Sequence, residues 1–288
     1  ATSEAGDVNS FSSFPQNDPL VMPLYPSAYF EDLDGDSNKD LIVSPNIFVK
    51  DHDDIDLRRS AWFYKNTGTT ADPDFTMVTN AFLQEHMIDV GDNAVPALAD
   101  LDGDQDLDLF VSQHSGLEAP ATIWLFENTG TITQPQFRIV SEDYLSFSEQ
   151  NFYNLKIAFA DVDHNGISDL AFTATTFDDD VTGLYYIPGR KSGSMDFADQ
   201  PINRISFLLA AADNISFVDV DADGWTDILA GRATGKVQYW RNAKVSPPAF
   251  SLENEDFLMV GNDITQASPS IAVGDLNADG KDDLLIGD

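Results

Sequence analysis

Acidic residues recur at alternate positions in five short segments of the 288-residue chain. Each segment has Asp or Asn at its first, third and fifth positions and Asp at its ninth. Three side-chain oxygens at alternate positions can converge on one point when the backbone curls between them, and a carboxylate at the ninth position closes the far side. We call the segments loops 1 to 5; they comprise residues 32–40, 100–108, 161–169, 219–227 and 275–283.

Such oxygen sets favour a hard divalent cation. Without His or Cys at the ligand positions, they select Ca²⁺ over transition metals, and Mg²⁺ is a weaker candidate because it demands a tighter octahedral cage. The seventh position varies from apolar to basic, as expected if only its backbone carbonyl binds. Clustered carboxylates repel one another unless a divalent ion neutralises them, so calcium is expected to hold each loop together.

Two other interpretations of the loops are weaker. An EF-hand loop begins in the same way but needs a carboxylate at its twelfth position and a helix on each side. The twelfth residue is apolar in all five loops: Val43, Val111, Phe172, Ala230 and Ile286. Plain acidic hairpin turns would not require five copies at a near-constant period.

The loops mark a repeat of about 60 residues. Their first positions are 68, 61, 58 and 56 residues apart (100 − 32, 161 − 100, 219 − 161 and 275 − 219). Each loop lies between two short runs rich in β-branched and aromatic residues, which predicts a β-hairpin. A third aromatic run ends at a turn such as 66–68 or 128–130, where Asn and Gly tolerate positive φ. A fourth run begins at Phe75, Phe137, Phe197 and Phe250.

This pattern predicts an all-β fold, a β-propeller of four-stranded antiparallel blades. A four-stranded sheet cannot bury both faces alone, whereas blades stacked around an axis cover one another. About five units are visible, near 26–90, 91–152, 153–210, 211–266 and an incomplete 267–288. Residues 1–25 are too few for a blade but could lend an outer closing strand. Either a small propeller closes in this way or the chain is a fragment of a longer one, and the fragment is favoured.

The loop pattern and the apolar strand after it resemble the FG-GAP or VCBS repeats of integrin α-subunit propellers and of bacterial surface and secreted proteins. The resemblance covers essentially residues 25–288, and the Asn-Thr-Gly turns are similar to those of the bacterial branch. It implies part of a seven-bladed propeller with up to five Ca²⁺ ions, held by positions one, three, five, seven and nine. Those positions are Asp32, Asp34, Asp36, Asn38 and Asp40; Asp100, Asp102, Asp104, Asp106 and Asp108; Asp161, Asp163, Asn165, Ile167 and Asp169; Asp219, Asp221, Asp223, Trp225 and Asp227; and Asp275, Asn277, Asp279, Lys281 and Asp283.

Four loops depart from the pattern. Ser37 and Gln105 stand where Gly is preferred at position six, which costs roughly 1 kcal/mol if that position needs positive φ. Asn165 and Asn277 keep an oxygen but remove a charge, so weaker metal binding is expected in loops 3 and 5.

Composition restricts the partners. The chain has 15 Lys and Arg against 49 Asp and Glu, a formal charge of −34, which excludes nucleic acid and anionic lipid surfaces as partners. It has no Cys, so ions rather than disulfides would stabilise the fold, and it has no apolar stretch of about 18 residues. Extracellular calcium modules bind at roughly 10⁻⁴ to 10⁻³ M, a concentration reached outside cells, which predicts an exported protein, secreted or at the cell surface.

The predicted function is adhesion, scaffolding or binding of a protein or glycan, without catalysis. The alternative is an accessory or catalytic propeller domain of a secreted carbohydrate-active enzyme. Against it, the four histidines occur in unrelated contexts: His52, His86, His114 and His164. No nucleophile-elbow motif supports a serine triad either.

Two irregular segments and three tryptophans raise the question of where a ligand would bind. Segments 48–59 and 113–122 are either specificity loops or plain connections. The tryptophans of the third strand, Trp62, Trp124 and Trp240, are expected in the core between blades rather than in a sugar-binding platform.

Overall fold

A computed structural model describes residues 26–45, 59–84, 88, 90–91, 93–113, 120–191, 195–257, 259 and 268–287. Its regular structure is almost entirely β-strand, arranged in four four-stranded antiparallel sheets, a two-stranded ribbon and a two-stranded hairpin. None of the described residues forms a helix long and apolar enough to cross a membrane. The prediction of an all-β fold built from four-stranded antiparallel blades is confirmed.

Three of the four sheets follow chain order without insertions. The strands of the first are β1 (Pro26–Glu31), β2 (Asp40–Pro45), β3 (Trp62–Asn66) and β4 (Phe75–Thr79). Those of the second are β5 (Val95–Ala99), β6 (Asp108–Gln113), β7 (Thr122–Asn128) and β8 (Phe137–Ser141), followed by a 3₁₀ segment at Tyr144–Glu149.

The third sheet contains β9 (Phe152–Ala160), β10 (Asp169–Thr176), β11 (Thr182–Ile187) and β14 (Asn203–Ile205), and the ribbon of β12 (Arg190–Lys191) and β13 (Met195–Asp196) is inserted before its last strand. The fourth contains β15 (Asn214–Val218), β16 (Asp227–Gly231), β17 (Val237–Asn242) and β18 (Phe250–Asn254). The hairpin consists of β19 (Ser270–Gly274) and β20 (Asp283–Gly287).

The predicted start of the third sheet's last strand is wrong. Phe197 follows β13 instead, and the last strand begins six residues later at Asn203 (203 − 197). Phe197 is buried, with its ring 6.0 Å from that of Phe159. Phe197 therefore packs in the core from a position directly after the inserted ribbon. The sequence pattern alone does not distinguish such a buried residue from the first residue of a strand.

The chain divides into two compact units, residues 1–89 and 90–288. The first contains the first sheet, whose core consists of Leu41, Val43, Tyr64 and Phe75 with Trp62 packed against them. The second contains all the other sheets and the hairpin.

Within the second unit, the first strands of successive sheets lie side by side, β5 next to β9, β9 next to β15 and β15 next to β19. Side-chain hydrogen bonds cross from one sheet to the next. Ser112 Oγ donates to the Leu155 carbonyl at 2.8 Å, and Ser216 Oγ donates to the Ile271 carbonyl at 2.6 Å. These sheets are therefore stacked in chain order along their first strands, as propeller blades are.

Apolar residues fill the spaces between these stacked sheets. One cluster joins the second and third sheets around Phe110 and Phe172, and another joins the third and fourth around Leu184 and Ile228. Trp240 packs against the latter, 4.6 Å from the ring of Phe207. The predicted core position of this tryptophan is confirmed.

Several predicted features lie outside the described residues. These are the N-terminal segment 1–25, the histidines at 52, 86 and 114, most of segment 48–59 and the middle of segment 113–122.

Candidate metal-binding loops

All five loops join the first and second strands of a hairpin in the same register. In each, the residue before position one pairs with the aspartate at position nine. The pairs are Glu31 with Asp40, Ala99 with Asp108, Ala160 with Asp169, Val218 with Asp227, and Gly274 with Asp283. The strands therefore close every loop at the same point.

Two positions in every loop have a left-handed backbone. Position six has φ between 70° and 87°: Ser37, Gln105, Gly166, Gly224 and Gly280. The expected positive φ at Ser37 and Gln105 is thus present. Position four is also left-handed in every loop: Gly35, Gly103, His164, Ala222 and Ala278, with φ between 58° and 85°. Each loop has one glycine for these two positions, at position four in loops 1 and 2 and at position six in loops 3 to 5.

The aspartate at position one orders the backbone of each loop. Its Oδ2 accepts the N–H of position six at 2.7–3.1 Å in all five loops. The side-chain oxygen of position five similarly accepts the N–H of position seven at 2.8–3.0 Å. In loop 3 that acceptor is Asn165 Oδ1, so the amide oxygen takes the place of a carboxylate oxygen.

Four loops bring three carboxylates together. In each, one oxygen of every carboxylate lies within 4.8 Å of the others. Loops 1 and 2 use positions one, three and five, whereas loops 3 and 4 use positions one, three and nine. Calcium binds oxygens at about 2.4 Å, so ligands on opposite sides of one ion are about 4.8 Å apart and the groups fit this ion. The three aspartates at the ligand positions of loop 5, Asp275, Asp279 and Asp283, lie in the described part of the chain and do not form such a group.

The predicted position-seven residues differ in what their side chains do. Asn38 accepts a hydrogen bond from Thr70 Oγ1 at 3.2 Å. The Trp225 ring stacks on that of His164, with centroids 3.8 Å apart and an interplanar angle of 21°, so loops 3 and 4 are in contact. Ile167 and Lys281 have no side-chain oxygen. A backbone ligand at position seven remains the prediction for these four.

The aspartate at position nine has a structural role that sequence reasoning missed. Its Oδ2 accepts the N–H of position two, at 2.8–3.1 Å, in every loop. In the first four loops its Oδ1 also accepts an N–H at 2.8–2.9 Å, from the last residue of the third strand in loops 1, 2 and 4 and from Gly189, two residues beyond that strand, in loop 3. Asp40, Asp108, Asp169 and Asp227 are all buried. This carboxylate therefore ties loop, second strand and third strand together.

The Asn-Thr-Gly turns work differently from our expectation. Neither Asn66 nor Gly68 has positive φ. The buried Asn66 Oδ1 accepts the N–H groups of Gly68 and Asp74, at 3.1 and 3.0 Å. A Cβ at Gly68 would lie 2.3 Å from the Asp72 carbonyl oxygen. The turn thus needs the amide as an acceptor and the glycine for close approach, and residues 128–136 repeat the same bonds.

Two loops carry a cation of their own. In loop 1, Lys65 forms an ion pair with Asp34 and lies 3.9 Å from Asp36; its proximity lowers the pKa of Asp34. In loop 4, Arg241 pairs with Asp221 and, at 3.2 Å, with Asp223. Lys244 pairs with Asp223 at 2.6 Å, which holds the pKa of that carboxyl well below its usual range. Lys65 and Arg241 both immediately precede the turn asparagine.

Loops 2 and 3, the other two loops with a three-carboxylate group, contain an aspartate whose pKa is raised rather than lowered. Burial raises the pKa of Asp169 in loop 3 to about 6, against the opposing effect of its backbone hydrogen bonds. In loop 2, desolvation and then the neighbouring carboxylates raise the pKa of Asp106. Without a counter-ion, these loops hold negative charge where water is scarce.

Comparison with known families agrees with this geometry. A family model described as an FG-GAP-like repeat matches residues 100–172 and 219–286. Each match begins at position one of a loop and ends in the strand after the next loop, β10 or β20. A search of curated proteins finds no match.

Proposed function

Two stretches of the chain match the FG-GAP-like repeat, and from this premise we propose that the chain is a calcium-stabilised extracellular module that binds a protein or glycan. FG-GAP repeats form propeller modules commonly involved in binding and adhesion. Assignment to the bacterial branch of such repeats remains a prediction.

One observation carries the calcium proposal: in four loops, three carboxylate oxygens lie within 4.8 Å of one another. Like charges at this spacing repel strongly, and a divalent cation removes the repulsion. All the ligand atoms are oxygen, which favours Ca²⁺ over zinc or copper. The backbone carbonyl of position seven and water would complete the coordination.

The proposed location follows from the affinity expected of such sites. Most ligands at positions one, three and five are exposed or half-buried, so water competes for the ion and binding in the range of about 10⁻⁴ to 10⁻³ M is expected. Calcium reaches these concentrations outside cells. A secreted or surface-displayed protein would therefore keep its loops filled.

We propose binding rather than catalysis as the activity. A stack of rigid sheets holds surface loops in fixed positions, which suits recognition of a partner. His164, the one histidine among the described residues, stacks on Trp225 within the loops. The charge of −34 favours a partner with a neutral or basic surface.

The test is thermal unfolding of metal-stripped protein, followed by circular dichroism during titration with CaCl₂ and, separately, MgCl₂. The midpoint is expected to rise through millimolar calcium and to respond less to magnesium. Asp102→Asn should reduce the calcium response, whereas the matched control Asp178→Asn, an exposed charge outside the loops, should not. Equal midpoints in calcium and in chelator would refute the proposal.

A further inference from the structure

We propose that the five loops are unequal and that loop 2 binds calcium most tightly, because the side chain of Asp106 adds a fifth carboxylate and no built-in cation competes. The inference rests on the proposed calcium function and deepens it. Position seven, assigned above to a backbone ligand, becomes a side-chain ligand in this loop alone.

Asp106 is a buried carboxylate without a partner for one of its oxygens. Its exposed fraction is 6%, and Oδ1 has no hydrogen-bond donor among the described residues. The backbone N–H of Asp106 donates to Asp104 Oδ1 at 3.0 Å, so the residue is anchored on the loop. A buried charge left unpaired is costly, and a bound cation removes that cost.

The surroundings of Asp106 are those of the metal-binding group. Asp100, Asp102 and Asp104 have oxygens within 4.8 Å of one another, and Asp108 closes the same loop where it pairs with Ala99. These are the four other acidic positions of loop 2, so five carboxylates share one neighbourhood. Ligand charge count is a main determinant of calcium affinity in oxygen-ligand loops. No other loop has a carboxylate at position seven.

Loops 1 and 4 have internal competitors for the ion. Lys65 pairs with Asp34, and Arg241 with Asp221 and Asp223. At the equivalent position the second sheet has Glu127, which pairs with Arg138. No salt bridge joins loop 2 to a basic residue in the described part of the chain. A calcium ion entering loop 1 or 4 must displace or oppose an ammonium or guanidinium group, whereas one entering loop 2 need not.

The test resolves the loops individually. Full-length protein labelled with ¹⁵N-glycine is stripped of metal and titrated with CaCl₂, and amide shifts are recorded by NMR. Each loop contains at least one left-handed glycine. Gly35, Gly103, Gly166, Gly224 and Gly280 therefore report on loops 1 to 5 in turn. The Gly103 resonance is expected to have the lowest calcium midpoint.

Two variants test the two causes separately. Asp106→Asn keeps the size of the side chain but removes its charge, and it should raise the Gly103 midpoint roughly tenfold while leaving the others unchanged. Lys65→Met should lower the Gly35 midpoint by roughly threefold and leave Gly103 unchanged. Asn38→Ala is the matched control, because the position-seven side chain of loop 1 is not a ligand. It should leave the Gly35 midpoint near its original value.

Each outcome is decisive. A Gly103 midpoint that is not the lowest, or that Asp106→Asn does not move, overturns the proposal. If Asp106→Asn unfolds, so that its amide shifts lose their dispersion, the ranking of the calcium midpoints in wild-type protein and the titration of Lys65→Met decide instead. An unchanged Gly35 midpoint in Lys65→Met would reject the role of the internal cation. If no loop glycine responds to calcium, the proposed function itself fails.

Discussion

The aspartate at position nine is expected to stabilise the fold whether or not metal is bound, and Asp227→Asn tests this role. Asp227 is fully buried and accepts three hydrogen bonds. The donors are the Val220 N–H at 3.1 Å, the Asn242 N–H at 2.8 Å and the Tyr239 hydroxyl at 3.1 Å. An asparagine offers one acceptor oxygen and turns an NH₂ group toward the remaining donors.

The expected loss follows from these three bonds. Leaving a buried donor unsatisfied costs about 1–3 kcal/mol, and the amide oxygen can retain at most two of the bonds. The NH₂ group of the asparagine would also face an N–H donor and repel it. With both costs together, we expect the free energy of unfolding to fall by about 2–5 kcal/mol in metal-free protein. The assay is urea denaturation of metal-stripped protein, followed by tryptophan fluorescence.

Asp221→Asn is the matched control within the same loop. It also removes one charge from the proposed calcium site, but Asp221 is exposed and its partner is Arg241. In metal-free protein it should cost much less than Asp227→Asn, whereas both should weaken calcium binding by loop 4. Equal stability of the two variants without metal would refute the structural role of position nine.

Three further perturbations have defined outcomes. Gln105→Gly relieves a left-handed backbone at φ 79° and should raise the free energy of unfolding by about 1 kcal/mol in urea melts; a loss would show that the strain is absent. A Cβ at Gly231 would lie 1.8 Å from the Pro269 carbonyl oxygen, between the fourth sheet and the last hairpin. Gly231→Ala should therefore cost about 1–3 kcal/mol, while Gly274→Ala, which meets nothing within 4 Å, should be nearly neutral. Burial raises the pKa of Asp169 to about 6, so folded metal-free protein holds a proton that the unfolded chain releases near pH 4. Its contribution should make stability fall by up to about 3 kcal/mol as pH rises from about 4 to 6, a slope absent from Asp169→Asn.

Much of the architecture was predictable because the repeat carries strong local signals. Five copies of one acidic pattern, each between short apolar runs, fix the hairpins and their spacing. The apolar runs beside each loop are too short for helices and are rich in β-branched and aromatic residues, so they predict strands. Two further runs of the same kind in each unit complete a four-stranded sheet. The left-handed backbone at position six was also readable, because Gly166, Gly224 and Gly280 occupy it in three loops.

Other features depend on neighbours that sequence spacing does not reveal. The left-handed backbone at position four could have been predicted from Gly35 and Gly103. His164 and two alanines occupy the same position in the other loops, so the glycine signal there is weak. Phe197 has the sequence pattern of a strand start and instead fills the core. The double role of position nine depends on the end of the third strand, up to 26 residues away. The unpaired oxygen of Asp106 arises from burial, which the acidic pattern does not report.

The most direct test of calcium binding is a crystal structure from protein grown in about 5 mM CaCl₂, well above the expected dissociation constants. Anomalous difference peaks are predicted in loops 1 to 4, each about 2.3–2.6 Å from side-chain oxygens of positions one, three and five and, in loops 1, 3 and 4, from the position-seven carbonyl. Loop 2 should show the highest occupancy, with Asp106 bound through its side chain. Empty loops at this concentration, with the carboxylates held only by Lys65, Arg241 and water, would contradict the calcium role.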